Sequence, residues 1–244
     1  MSHKQRVDQQ PSFVLHSHPW RETSLIVEVF SRDYGRVAMV AKGARRPMSA
    51  LRGVLMAFQP LLVDWSGGGE VKTLVRAEWQ GGQPLLTGRA LLCGYYLNEL
   101  LVKLSAREDP HPGLFEAYSE ALCQLAGGQS QGVLLRRFEL ALLRELGYGV
   151  LLDHDARSGE PVDPARRYLY IIEEGPIALG ADIGSVDPDC QIISGQTLLD
   201  MAAGVLERPE TLAQSKSLLR ALINHYLGGQ SLQSRRVFTE LQLL

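Results

Sequence analysis

His16 and His18 stand two residues apart. On a strand that spacing puts both imidazoles on one face, the start of a metal pair, but no third ligand is evident. Joined by carboxylates, the pair would suit a metal-dependent phosphodiesterase. His154 lies between Asp153 and Asp155, a carboxylate–imidazole cluster for which a solvated polar turn is the better account. Glu173 and Glu174 sit in an expected hairpin with no sign of a tuned carboxyl. The chain contains no GxxxxGK[ST] phosphate loop, no HExxH and no GxSxG. Cys93, Cys123 and Cys190 form no CxxC pair, so neither a thiolate zinc knuckle nor a redox dithiol is expected. Cys93 and Cys123 fall in apolar runs and are expected as small buried hydrophobes in a reduced, cytosolic setting. These residues predict a binding protein rather than an enzyme, with no cofactor and no metal.

The chemistry that the chain does concentrate is cationic. Residues 34–63 carry Arg36, Lys42, Arg45, Arg46 and Arg52 and no Asp or Glu. Two strand-like apolar runs, 37–41 and 54–63, flank a basic segment containing Gly43 and Pro47. A surface loop with cations and no local acid is suited to phosphate contact. A solvated loop whose charges are paired by distant residues would have the same composition. Residues 1–80 hold 11 Lys+Arg against 7 Asp+Glu, and residues 81–244 hold 14 against 20. A basic binding module on an acidic remainder is the implied arrangement.

Positioning these cations falls to a run of short strands. Alternation and β-branching predict strands at 13–18, 25–30, 37–40, 55–65 and 71–79, with turns at Pro19-Trp20, Asp33-Tyr34-Gly35 and Ser66–Gly69. In the last strand Val71, Thr73, Val75 and Ala77 alternate against Lys72, Leu74, Arg76 and Glu78. Five short strands joined by Gly-rich turns predict a closed β-barrel of OB type, and closure removes exposed strand edges. Gly81-Gly82-Gln83-Pro84 marks the expected boundary between a barrel domain, 1–80, and a helical domain, 81–244. Helical periodicity then predicts helices from Thr87 to about Leu104, over 114–125, from Ser130 to Gly147, from Ser194 to about Ala203, and over 209–227. A β-rich insertion at about 150–193 contains strands near 167–172 and 177–179. The tail, SLQSRRVFTELQLL, is mixed polar and apolar. No apolar run reaches the roughly 18 residues of a membrane span, and the N-terminus has no signal core. The fold class is thus α+β, with no membrane and a cytoplasmic location.

Several ordered motifs resemble the RecO family of bacterial recombination mediators. They are the stretch FVLHSHPWRETSLIVEVFSRDYGRVAMVAKGAR, with Glu22-Thr23-Ser24, Gly35-Arg36 and Lys42–Arg45, then 134–139, LGYG at 146–149, SGEPV at 158–162 and YLGG at 226–229. The resemblance covers nearly the whole chain. It implies an OB barrel, a helical domain and a small zinc-ribbon-like insertion that in many members carries two CxxC pairs. Asp155 and Ser158 stand where the first pair would be, which argues against zinc.

The resemblance further implies a non-enzymatic, nucleoid-associated DNA repair protein. It would bind single- and double-stranded DNA and anneal complementary strands, including those coated by single-strand-binding protein (SSB). With RecR it would help load RecA, with RecF a further partner. A generic OB single-strand binder or RNA chaperone without a dedicated partner is the alternative. The expected DNA contacts are Arg36, Lys42, Arg45, Arg46, Arg52, Lys72 and Arg76, which would neutralise phosphates without reading sequence. Trp20, Tyr34 and Trp65 are candidates to stack on unpaired bases, with barrel-core or turn packing the alternative for each, and more so for Trp65 than for Trp20. Arg136, with Arg137 and Phe138, is expected to receive the acidic, apolar C-terminal tail of SSB.

Overall fold

The computed structural model describes residues 6–180 and 191–242. Cys190 lies outside them. Five strands, β1 (Arg6–Trp20), β2 (Ser24–Ser31), β3 (Gly35–Ala41), β4 (Pro60–Ser66) and β5 (Val71–Trp79), close into a barrel in the order β1-β2-β3-β5-β4. Every neighbouring pair is antiparallel except β3 and β5, which run parallel. This is the expected OB-type barrel. Val14, Val27, Val29, Val37, Met39, Val63 and Trp65 fill its interior.

Strand limits differ from the sequence expectation where tertiary pairing intervenes. Pro19 and Trp20 are not a turn. They pair with Leu25 and Ser24, and the turn falls at residues 21–23, with Arg21 at φ +53°. Proline is accommodated because β1 meets β4 only as far as Phe13; beyond that point β1 has a partner on one side and can spare an N–H. Residues 55–59 are not strand either. A 3-10 turn at Ala50–Gly53 and a positive φ of 66° at Phe58 hold the chain out of the sheet until Pro60.

In β5 the inward face changes partway along. Lys72 and Leu74 are buried, while Val71 and Val75 face solvent. A register irregularity opposite Asp64 and Trp65 then shifts the parity, so that Ala77 also packs on the core.

Helices α1 (Gly88–Leu104) and α2 (Pro112–Ala126) pack with the barrel in one compact unit, which also holds the segment from Leu232 onward. The seam is aromatic. Phe13 and Phe30 are cross-strand partners, and each lies 5–6 Å from the rings of Phe115 and Tyr118 on α2. Asn98 of α1 donates to the Leu15 carbonyl at 2.9 Å and accepts from the Tyr118 hydroxyl. Cys93 is buried, but Cys123 is exposed, because α2 buries the stripe containing Leu114, Tyr118, Ala121, Leu122 and Leu125 and Cys123 points away from it.

The second compact unit, residues 130–231, contains α3 (Gln131–Glu145), a three-stranded sheet and two further helices. The sheet order is β7-β6-β8, from β6 (Arg167–Ile171), β7 (Gly175–Ala178) and β8 (Gln191–Ser194). β8 is too short to show in the sequence pattern. Helix α4 (Gly195–Ala203) is capped by Ser194, whose hydroxyl accepts from the Thr197 N–H. It packs on α5 (Pro209–Tyr226). The tyrosines of the LGYG and YLGG motifs, Tyr148 and Tyr226, stack with centroids 4.0 Å apart.

Back in the first unit, the tail forms a helix not expected from its composition, α6 (Gln233–Gln242). Its first turn is held by the Glu99 carboxylate, which accepts from the Gln233 and Ser234 N–H groups at 2.8 and 2.9 Å. That contact is with α1, more than a hundred residues away, and is invisible to local pattern.

At the position where the first CxxC pair of the resembled family would stand, Asp155 organises the insertion. Its Oδ1 accepts from the Arg157 and Ser158 N–H groups at 2.9 and 2.8 Å, and its Oδ2 from the Ala178 N–H at 2.6 Å. Burial alone would raise this carboxyl's pKa, but the backbone donors of Ser158, Ala178 and Arg157 outweigh it and hold the pKa below the ordinary value. The stabilisation is therefore complete above the ordinary aspartate value, about 3.9, and disappears as pH falls through the lower folded value. Asp155→Ala should cost about 1–3 kcal/mol through the orphaned donors. Urea unfolding of the variant against wild type at pH 7 and pH 3 checks both points: the difference should be large at pH 7 and shrink in acid.

Candidate nucleic-acid interface

Strand direction sorts the expected DNA contacts into two groups. β1, β3 and β5 all end at the same mouth of the barrel, because β3 is parallel to β5 and both β1 and β3 are antiparallel to β2. The 21–23 turn, the 42–59 loop and Trp79 therefore share the upper mouth. The Asp33-Tyr34 turn, the start of β3 at Arg36 and the start of β5 at Lys72 lie at the lower mouth.

At the upper mouth Lys42, Arg45, Arg46 and Arg52 are all exposed. None of them has a carboxylate partner among the described residues. The loop that carries them is built onto the barrel. Ala44 is buried, and Leu51, Val54 and Leu55 pack against the barrel core. The Arg45 N–H donates to the Thr23 carbonyl at 2.9 Å, and its guanidinium reaches the Arg21 and Glu22 carbonyls at 3.4 and 3.3 Å. Successive turns follow, with N–H donation from Arg46 to Gly43, Ser49 to Arg46 and Arg52 to Ser49 at 3.0–3.2 Å. Trp20 is 43% exposed beside this loop's stem, with the Arg21 guanidinium 6.0 Å from its ring centroid. The structure thus brings Trp20, Arg21 and the loop cations together.

At the lower mouth the cations are engaged. Arg36 pairs with Glu28 and donates to the Ser105 carbonyl at 3.0 Å. Both side chains of that pair are 13% exposed, and Arg107 approaches the same Glu28 oxygen at 3.3 Å. Lys72 is buried, with its ammonium 2.7 Å from Glu108. Residues 105–109 are pressed against β3 so closely that a Cβ on Gly35 would lie 2.0 Å from the Asp109 carbonyl oxygen, and Gly35 has φ +64°. Only glycine fits there. Tyr34 stands edge-on to the buried Trp65, centroids 5.2 Å apart. Arg76 lies midway along β5, exposed and paired with Glu78.

Elsewhere, Arg136 is buried and paired with Glu139, and Phe138 is in the core. Arg137 is the exposed member of that trio, its side chain 45% accessible and 3.5 Å from Glu207. His16 and His18 are exposed on β1 with ring centroids 5.9 Å apart. No group of three or more His, Cys, Asp or Glu that could hold a metal occurs among the described residues. No described helix is long and apolar enough to cross a membrane.

Three upper-mouth residues escaped the sequence reading. Arg21 is marked only by its place beside Trp20. Met48 is 97% exposed and Trp79 58% exposed, and in sequence both resemble core residues. The division between mouths has a direct consequence for stability. Arg36→Ala leaves the largely buried Glu28 with the Arg107 contact at 3.3 Å and removes the donor to the Ser105 carbonyl. It should cost about 1–3 kcal/mol, whereas Arg46→Ala and Arg52→Ala should stay within about 0.5 kcal/mol of wild type. Thermal melts followed by circular dichroism decide; equal melting temperatures for the three would show that the Glu28 pair bears no structural load.

Comparison with known proteins agrees with this architecture. The family model described as Recombination protein O N terminal matches residues 5–82, and the one described as Recombination protein O C terminal matches residues 85–236. A protein of Aromatoleum aromaticum named DNA repair protein RecO is 72% identical over 244 residues, covering all of both chains. Proteins of the same name from Azoarcus sp. strain BH72 and Dechloromonas aromatica are 71% and 53% identical, covering 99% and 100% of each chain. With both halves matched and relatives aligned end to end, the chain belongs to the RecO family of DNA repair proteins.

Proposed function

We propose that the chain binds single- and double-stranded DNA through the upper mouth of its barrel and anneals complementary strands. With RecR it would help load RecA onto SSB-coated single strands. The observation that carries this is the set of four exposed cations, Lys42, Arg45, Arg46 and Arg52, without carboxylate partners on a loop already fixed to the barrel. Each can neutralise a phosphate and release a condensed counterion, and none reads a base. Two polyanions can then approach each other on one cationic surface. Trp20 adds a ring face for an unpaired base. Arg36 and Lys72 support the site by holding the lower mouth, and Arg76 is a peripheral contact.

The acidic, apolar tail of SSB would be received on the other unit, where Arg137 offers an exposed guanidinium. Arg136 is buried one position away and paired with Glu139 of the same helix. Partner choice and charge neutralisation are thereby separate functions of separate surfaces.

Replacing Lys42, Arg45, Arg46 and Arg52 together by Ala should weaken single-strand binding and reduce the slope of log K against log salt by roughly 0.7 per lost contact. Binding of an SSB-tail peptide should stay at the wild-type level. Arg137→Ala should give the reverse pattern. Annealing of bare and SSB-coated strands, with salt titrated, tests the whole assignment. A salt-independent affinity would remove the phosphate mechanism. Annealing of bare strands alone would make the chain a plain single-strand binder.

A further inference from the structure

Trp79 closes β5 at the upper mouth with its indole 58% exposed, more than Trp20 at 43% and far more than Trp65 at 2%. Exposure of one large side chain needs no special account. Its fixing does. The indole Nε1–H donates to Gln59 Oε1 at 3.0 Å, and Gln59 is itself only 4% exposed. A buried amide thus holds a solvent-facing ring in one orientation. The other amide atom, Gln59 Nε2, is buried and has no hydrogen-bond partner among the described residues.

The position is equally specific. Gln59 is the last residue before β4, where the basic loop rejoins the barrel. The Gln80 N–H donates to the Pro60 carbonyl at 2.9 Å, so Trp79 is tied to the outgoing stem of the loop. Trp20 is tied to the incoming stem, through the Arg45 contacts with the 21–23 turn. Each stem of the loop therefore carries one exposed indole, with Arg46 and Arg52 on the chain between them.

We infer that Trp79 is a second base-stacking platform of the DNA site, pre-oriented by Gln59. The inference rests on the phosphate-binding role proposed for the loop. A ring fixed before binding loses little rotamer freedom when a base arrives. Stacking uses the base's π-face, is tolerant of sequence, and leaves the Watson–Crick edge free. A strand held by its phosphates and base faces keeps its pairing edges open to a complementary strand, which is what annealing needs.

The test compares wild type, Trp79→Ala and Gln59→Leu on two probes, a short oligothymidylate and an abasic sugar–phosphate strand of equal length. Stacking of one base is worth roughly 1–3 kcal/mol, so Trp79→Ala should bind the intact strand roughly 5- to 150-fold more weakly. It should bind the abasic strand as wild type does, with an unchanged salt slope. Gln59→Leu, which keeps the indole but removes its anchor, should show a smaller loss confined to the intact strand. Circular dichroism melts establish that both variants are folded. Equal losses on the two probes, or no loss on either, would overturn the inference; in the second case the indole serves a protein contact instead. Salt-independent binding by wild type would be a different failure, that of the phosphate mechanism itself.

Discussion

Three residue pairs, Ala38–Val71, Met39–Lys72 and Val40–Thr73, join β3 to β5 in parallel and close the barrel. Everything proposed for the DNA-binding surface depends on that closure. An open five-stranded meander would leave two unpaired edges and would not bring β5 back beside β3. Closure leaves the 21–23 turn, the 42–59 loop and the end of β5 at one mouth, and the aromatic seam of Phe13, Phe30, Phe115 and Tyr118 fixes the helices against the barrel's outer face. The cationic loop is then an ordered feature of the surface. Its anchors, buried Ala44 with the partly buried Leu51, Val54 and Leu55, meet part of the ordering entropy during folding rather than on binding.

Charge is divided by solvent access. A cation removed from water needs a counter-charge, and the lower mouth supplies Glu28 to Arg36 and Glu108 to Lys72. Both acids are distant in sequence or on a different element from their partners. Among the described residues the loop cations of the upper mouth pair with no carboxylate, and they stay exposed. The same residue types, similarly spaced along one chain, thus serve two purposes. One set clamps residues 105–109 onto β3; the other faces solvent.

The insertion solves a different problem by related means. Without thiolate ligands, a small sheet of short strands needs another centre. One carboxylate, Asp155, collects three backbone N–H groups, two from the turn that follows it and one from the end of β7. A second buried carboxylate, Asp200, does comparable work between α4 and α5, accepting from Thr211 at 2.5 Å and from Gln196 at 2.7 Å. Charge-assisted hydrogen bonds of this kind are about twice as strong as neutral ones.

Local sequence was sufficient wherever one physical signal dominated. Alternation and Gly-rich turns made the barrel legible, and 3.6-residue periodicity with Ser194 or Pro209 at a helix start located α4 and α5 to within a residue or two. The motif order was enough for the family. The basic loop was legible too, because a run of cations without acids is a property of the chain itself. Tertiary structure decided the rest, since the deciding partners are remote. It paired Arg36 with Glu28 and Lys72 with Glu108. It buried Arg136 and left Arg137 outside. It held the first turn of the tail helix on Glu99, and by ending β5 at the mouth of the barrel set the Trp79 indole on Gln59. Periodicity records which face of an element is apolar. Whether a charge is paired or an indole exposed depends on what the fold places opposite it, and only closing the barrel and packing the helices settles that.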